Sequence, residues 1–490
     1  MAAASPPGHP GRQGLMSLVA GGGSVPLSDR AGGPDLARGL ALLGIALANT
    51  VGWLHGSTWT VLLKQQDATV LDRVVDVLLA LTIDNRGFPL FAMLFGYGIG
   101  ILHRRSRERG ESAGRFILRM LRRHVVLLAI GLAHAILLFS GDIIVAYAMV
   151  GMLCAVLVTR HRAVMPVVAI AALPALGVWG WADGTIGLFG GDGYASAAAP
   201  DYVTALRLRT EQAGADVATV LIDDIGLLSP MAIGVIAARL RMLEEVVANR
   251  DLLVPIARWG LGIGLLGAVP LAAVLALDPA HRVLDAVLLL GSIGVVHQYT
   301  GLIGALGFAA ALALLAERVR RQTQSADGTV APHDASGHAA GHASGGAALR
   351  RDAADGGSAP RVVVAAVRGI EALGAVSLSA YVGQSLVAHA LFPPYTLDLG
   401  ARLGSAGAAA LMVATWLVMI LLAQALRRRG RRGPLEVVLR RLAGSSTSRS
   451  PRTDRSPRTL RSLGSPRSSP SARSSRFSPS ARSSRPGARP

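Results

Sequence analysis

Hydrophobic residues in this chain come in solid runs, without the alternation of a half-buried strand or the single stripe of a surface helix. Ten runs are found, at about residues 37–55, 87–103, 124–140, 143–159, 163–181, 218–238, 256–277, 285–316, 370–391 and 403–426. Each has the roughly 17 or more residues that a helix needs to cross about 30 Å of hydrocarbon. The eighth is longer than the others and contains the polar stretch HQYTG at 297–301. It reads either as one long tilted helix or as a helix broken there, with an interfacial half. Hydrocarbon leaves no partner for an unpaired backbone group, so runs of this kind form helices. The pattern predicts an all-α polytopic membrane bundle of about ten transmembrane helices.

Composition supports that class. Of 490 residues, 51% are hydrophobic and 16% charged, and the mean hydropathy is +0.45, outside the habit of a soluble domain. The net charge of +19 would suit nucleic acid if it lay on one folded face. Instead the arginines occupy the connections between apolar runs, which is a topology signal and argues against a nucleic-acid partner. Residues 103–124 carry eight arginines, 160–162 two, 239–258 four and 317–369 seven, all on one side if there are ten spans. The other side holds Lys64, Arg73, Arg86, Arg207, Arg209, Arg282 and Arg402. By the positive-inside rule both termini are cytoplasmic. The single cysteine, Cys154, rules out an intramolecular disulfide or a cysteine metal cluster.

The runs divide the chain into a Gly, Pro, Ser and Ala-rich leader (1–33), a bundle of about eight spans (34–321), a flexible cytoplasmic linker (322–360), a two-span part (361–443) and a basic tail (444–490). His333, His338 and His342 have spacing that could hold a metal, but a flexible linker makes a poor cage, and no metal site is assigned. The tail has 11 arginines against one aspartate and repeats the octapeptide SPSARSSR. It reads as disordered, either drawn to anionic lipid of the inner leaflet or a low-complexity extension without a partner.

Polar side chains inside the runs carry the candidate chemistry, since each is costly to remove from water. Asp35 and Arg38 open the first run at i, i+3, close enough to pair as an interfacial ion pair or to meet a charged substrate. Asn49 lies eleven residues further on, about 16 Å along a helix. His134 and Asp142 flank a hairpin between the third and fourth runs. Asp142 could cap the fourth span, or fix the tautomer of His134 as a general base; the two roles are compatible. In the ninth run Ser377, Tyr381, Gln384 and Ser385 form one polar stripe that faces a cavity or the bundle interior. The glycines at 96, 98 and 100 favour close helix packing.

The motifs resemble those of the bacterial YeiB-like proteins, domain of unknown function 418. The resemblance rests on Asp35, Arg38, Gly39, Ala41 through Ile45 and Asn49 in the first span, Leu94 to Gly98 in the second, and Gly131, His134, Gly141, Asp142 and Ile143 in the hairpin. LSAYVGQS at 378–385 and a final GPLE, with Gly433, Pro434, Leu435, Glu436 and then Arg440, complete it over residues 35–443. Pro34 and Ala380 depart from the pattern. The family is similar in turn to transmembrane acyltransferases, with Arg38, Gly39, Asn49, Asp84, Phe88, Pro89 and Phe91 in the corresponding places, although His55 is the one histidine in the segment where a catalytic one would fall.

The resemblance implies a multi-pass protein of a bacterial cytoplasmic membrane. It would move an acyl group from a cytoplasmic donor such as acyl-CoA to an envelope acceptor, with no bound cofactor. His134 and Asp142 would be catalytic and Asn49 would stabilise the oxyanion; Asp35, Arg38, Tyr381, Gln384 and Ser385 would contact substrate. The alternative is a carrier in which the same polar side chains line a path for a small substrate and relay protons.

Overall fold

A computed structural model describes residues 32–191, 193–326 and 361–444. Most of the leader, most of the linker with its three histidines, and nearly all of the basic tail lie outside them.

The first helix, α1 (Gly32–Ala48), is buried on nearly all sides, which its small residues Gly33, Ala37, Gly39, Ala41, Gly44 and Ala46 permit. It gives way at Asn49 to a 3-10 turn, Asn49–Gly52. A loop then leads to α2 (Val70–Thr82) and α3 (Gly87–Glu108), which follow one another across the break Ile83–Arg86. Next come α4 (Ala113–Leu137), α5 (Ile144–Leu157), α6 (Val164–Ala171) and α7 (Leu173–Thr185). These are followed by α8 (Tyr202–Asp223), α9 (Leu228–Arg239), α10 (Arg250–Leu277) and α11 (Val287–Ala326). The last four are α12 (Arg361–Gly374), α13 (Ser377–Leu391), α14 (Ser405–Arg428) and α15 (Pro434–Leu442). Among the described residues there is no strand, only an isolated bridge between Trp59 and Gln65.

Helices α3, α11, α12, α13 and α14 surround α1, while α10 pairs with α11 and α9 with α3. The α3–α9 contact shows why glycine is needed at position 96: a Cβ there would lie 2.0 Å from the Met231 carbonyl oxygen. Outward faces of α10 and α14 expose Leu265, Leu266, Leu417, Val418, Leu421 and Leu422, a surface suited to lipid rather than water.

Helices coincide with all ten apolar runs. Among the described residues six are long and apolar enough to cross a membrane, or up to eight if each of two bent pairs is one span, against the ten expected. The bent pairs are α8 with α9, at 52°, and α12 with α13, at 89°. The runs at 37–55 and 143–159 become helices of 17 and 14 residues, the first giving way to a 3-10 turn at Asn49 and the second ending at Leu157. The second span is longer than its apolar run, because α2 extends it to Val70–Glu108. The eighth run is one unbroken helix, and it continues to Ala326, beyond the linker boundary at 322. HQYTG does not break it because His297 and Gln298 are buried against neighbouring helices.

Candidate functional site

After Leu137 the chain leaves α4 and turns back into α5, which carries Asp142 under the last turn of α4. The turn is tight because Gly131 lets α5 approach; a Cβ there would meet the Val145 nitrogen at 2.8 Å. His134 Nδ1 donates to Asp142 Oδ1 at 2.7 Å, with both side chains at most 2% exposed. The second carboxylate oxygen accepts from the Val145 N–H at 2.7 Å, capping α5. One aspartate thus orients the histidine and ends a helix. Donation from Nδ1 leaves Nε2 of a neutral ring as a lone pair, and that atom has no hydrogen-bond partner among the described residues.

Three contacts hold the end of α4. Arg209, 2% exposed, donates from Nε to the Ile136 carbonyl at 2.8 Å, the Tyr202 hydroxyl to Leu137 at 3.3 Å, and His389 Nδ1 to Leu138 at 3.1 Å. A cation at a helix C-terminus is favourable, and here it sits one turn beyond His134.

The polar stripe of α13 comes to the same place. Tyr381 packs against the His134 ring, with centroids 5.0 Å apart and planes tilted by 43°. With Gln384, Ser385 and Asn49 it lines a small recess closed by Trp53 and Met412. Asn49 and the Ile143 backbone approach the Tyr381 hydroxyl, yet neither that hydroxyl nor the Gln384 amide has a hydrogen bond of regular geometry. Glu436 of α15 anchors the start of the stripe. Its carboxylate accepts from the Leu378 and Ser379 N–H groups at 2.9 and 3.1 Å and from the Ser379 hydroxyl at 2.5 Å. The Leu435 N–H in turn donates to Ser379 Oγ at 3.0 Å. The GPLE motif therefore caps α13.

Asn49 and Asp142 also border a cavity of about 170 Å³, between α1, the α2–α3 break, α5, α7 and the α8–α9 bend. Its other polar walls are Asn85 and Asp224, and Phe88, Tyr147 and Trp179 supply aromatic faces. Behind Asn85 lies a buried polar network. The Asn85 amide donates to Asp183 at 2.7 Å and to His297 Nδ1 at 3.1 Å, while His297 Nε2 donates to the Ala80 carbonyl at 3.0 Å. Lys64, 1% exposed, pairs with Asp84 at 3.1 Å. Arg86 donates to the Gly264, Ala80 and Asp84 carbonyls. Placing such groups away from water is expensive unless they satisfy one another, and here most do.

His134, Asp142, Asn49, Tyr381, Gln384 and Ser385 are thus neighbours. Asp35 and Arg38 pair at 2.8 Å as their spacing predicts, but at the opposite end of α1, where Arg38 also donates to the Leu94 carbonyl. They do not join the group around His134. His55 is elsewhere, with Nε2 3.9 Å from Asp398. The sequence reading missed Asp224, Asn85, Asp183, His297 and Arg209 as site residues. Asp224, in the sixth run, and the HQ pair at 297–298, in the eighth, were visible as polar residues in apolar runs; Asp183 falls just beyond the fifth run and Arg209 in a polar connection, where that signal does not stand out. Among the described residues no group of three or more His, Cys, Asp or Glu could hold a metal ion.

Apolar helices around a buried polar site define a multi-pass helical membrane protein. Residues 358–445, which run from the start of α12 to the end of α15, match the family model described as "Protein of unknown function (DUF418)". The chain is 29% identical over 129 residues to "Uncharacterized protein YxaH" of Bacillus subtilis (strain 168), covering 25% of this chain and 31% of the relative. It is 33% identical over 129 residues to "Uncharacterized 39.9 kDa protein in amylase 3'region" of Bacillus acidopullulyticus, covering 26% and 34%. To "Uncharacterized protein YeiB" of Escherichia coli (strain K12) it is 30% identical over 129 residues, covering 24% and 29%. The matches span about a third of the length of these relatives. Over these stretches the chain is similar to the YeiB-like, DUF418 proteins.

Proposed function

We propose that this is an acyltransferase of a bacterial cytoplasmic membrane, with the His134–Asp142 pair as its base. The observation that carries the reading is a buried histidine whose Nδ1 is held by a carboxylate and whose Nε2 has no partner, next to the Tyr381 and Asn49 side chains. That is the arrangement a general base needs. His134 Nε2 takes the proton of an acceptor hydroxyl or amine as its oxygen or nitrogen bonds to the acyl carbon. The carbon–sulfur bond of a thioester donor breaks, and the proton passes to the departing thiolate. The Asn49 amide stabilises the intermediate oxyanion. Arg38 lies eleven residues before Asn49, about 16 Å along α1. An extended donor such as acyl-CoA could keep its phosphates near Arg38 and the arginine-rich connections while its carbonyl reaches Asn49. Asp35 would orient Arg38, and Tyr381, Gln384 and Ser385 would bound the acyl group.

A carrier is the second reading, favoured by the two sharply bent helix pairs beside buried polar residues. Purified protein in liposomes, given labelled acyl-CoA and envelope lipids or sugars, decides between them. A covalent acyl product lost in His134→Gln supports transfer. Uptake of a small solute with no acyl product supports the carrier and overturns the enzyme.

A further inference from the structure

The cavity of about 170 Å³ has a chemistry of its own. Two of its walls are carboxylates, Asp142 and Asp224, two are the amides of Asn49 and Asn85, and no lysine, arginine or histidine lines it. Asp142 has both oxygens engaged, one by the Val145 N–H and one by His134. Asp224 differs: its carboxylate has no hydrogen bond or ion pair among the described residues, although it is half-buried at the 52° bend between α8 and α9. Other parts of the wall are aromatic. Phe88 and Trp179 pack with centroids 5.0 Å apart, and the Trp179 indole N–H is tied to the Asp223 carbonyl at 2.7 Å, which fixes the ring beside Asp224.

Half-buried carboxylate without a cation is unfavourable, and aromatic faces attract cations. We infer that this cavity binds a small organic ammonium ion, its charge on Asp224 and its carbon skeleton against Phe88, Trp179 and Tyr147. A cavity of about 150 Å³ accepts a benzene ring, so the space suits a ligand of roughly that size with an amino group attached. Asn85, braced by Asp183 and His297, offers its side-chain carbonyl oxygen as a further acceptor for an ammonium N–H. The inference stands on the cavity alone and does not require acyl transfer.

Benzylamine and benzyl alcohol, nearly equal in shape and different in charge, are the probes. Each is titrated into the purified full-length protein in nanodiscs at pH 7, following tryptophan fluorescence and calorimetry. Saturable binding of benzylamine at least tenfold tighter than of benzyl alcohol is expected. Asp224→Asn should remove that preference, Asp224→Glu should keep part of it, and Asp223→Asn, an exposed neighbour, should leave it unchanged. Thermal unfolding of each variant shows that it is folded. Equal affinity for the two probes, no saturable benzylamine binding, or an unchanged preference in a folded Asp224→Asn protein overturns the inference. Amine binding without any acyl product leaves this site standing and removes the acyltransferase; acyl transfer without amine binding does the reverse.

Discussion

Asp142 divides its two oxygens between His134 Nδ1 and the Val145 N–H, each at 2.7 Å, so one side chain sets both a histidine's tautomer and a helix start. Substitutions can separate the two roles. Asp142→Asn keeps an oxygen for Val145 and should fold normally, whereas Asp142→Ala should lose about 0.5 to 2 kcal/mol of stability. His134→Gln should fold and reduce acyl transfer by roughly 100 to 10,000-fold. Thermal unfolding in detergent and the liposome assay measure these effects. If Asp142→Asn and His134→Gln are both silent in transfer and in uptake, the pair is structural.

Glu436 and Ser379 join α15 to the start of α13, and through α13 to Tyr381. Glu436→Ala should destabilise the protein by about 1.5 to 3 kcal/mol, because two N–H groups and a hydroxyl lose a charged acceptor. Glu436→Gln should cost less, since its amide oxygen can still accept. Unfolding curves of the two variants check the order; a silent Glu436→Ala would mean that packing alone holds α13.

By the positive-inside rule the arginine distribution predicts a cytoplasmic α3–α4 connection and an external α10–α11 connection. Cys154 is buried, so it contributes little background to thiol labelling. In intact cells an impermeant maleimide should label Ala280→Cys and spare Arg109→Cys, both at exposed positions. The reverse pattern would invert the topology.

Glu111, between α3 and α4, accepts from Ser106 and from Arg119 at 2.6 Å and lies 3.6 Å from Arg109. Burial works to raise its pKa, but the Ser106 and arginine contacts outweigh it and hold the carboxyl below the usual glutamate value. A lowered folded-state pKa gives stability that is present above the unfolded value, about 4.3, and lost as pH falls through the folded one. Wild type should therefore exceed Glu111→Gln in thermal stability at pH 7, with the gap closing below about pH 4. A gap that is constant from pH 7 to pH 3 would show that this carboxylate is not responsible.

Apolar runs longer than a soluble helix needs, and arginines concentrated in alternate connections, are local features, so the sequence alone determined that this is an all-α membrane protein and where its apolar helical segments fall. It also determined the Asp35–Arg38 pair and the shared face of Tyr381, Gln384 and Ser385, because a helix sets which residues three, four or seven apart meet. Contacts between helices have no such rule. Only the tertiary structure decided that Asn49 and His134 meet the α13 stripe while Arg38 does not, that α2 lengthens the second span, and that Glu436 caps α13 from 57 residues away. It alone placed Asp224, Asn85 and Trp179 around one cavity, since they come from three separate segments whose approach depends on close helix packing and on a bend that the hydrophobic pattern does not encode.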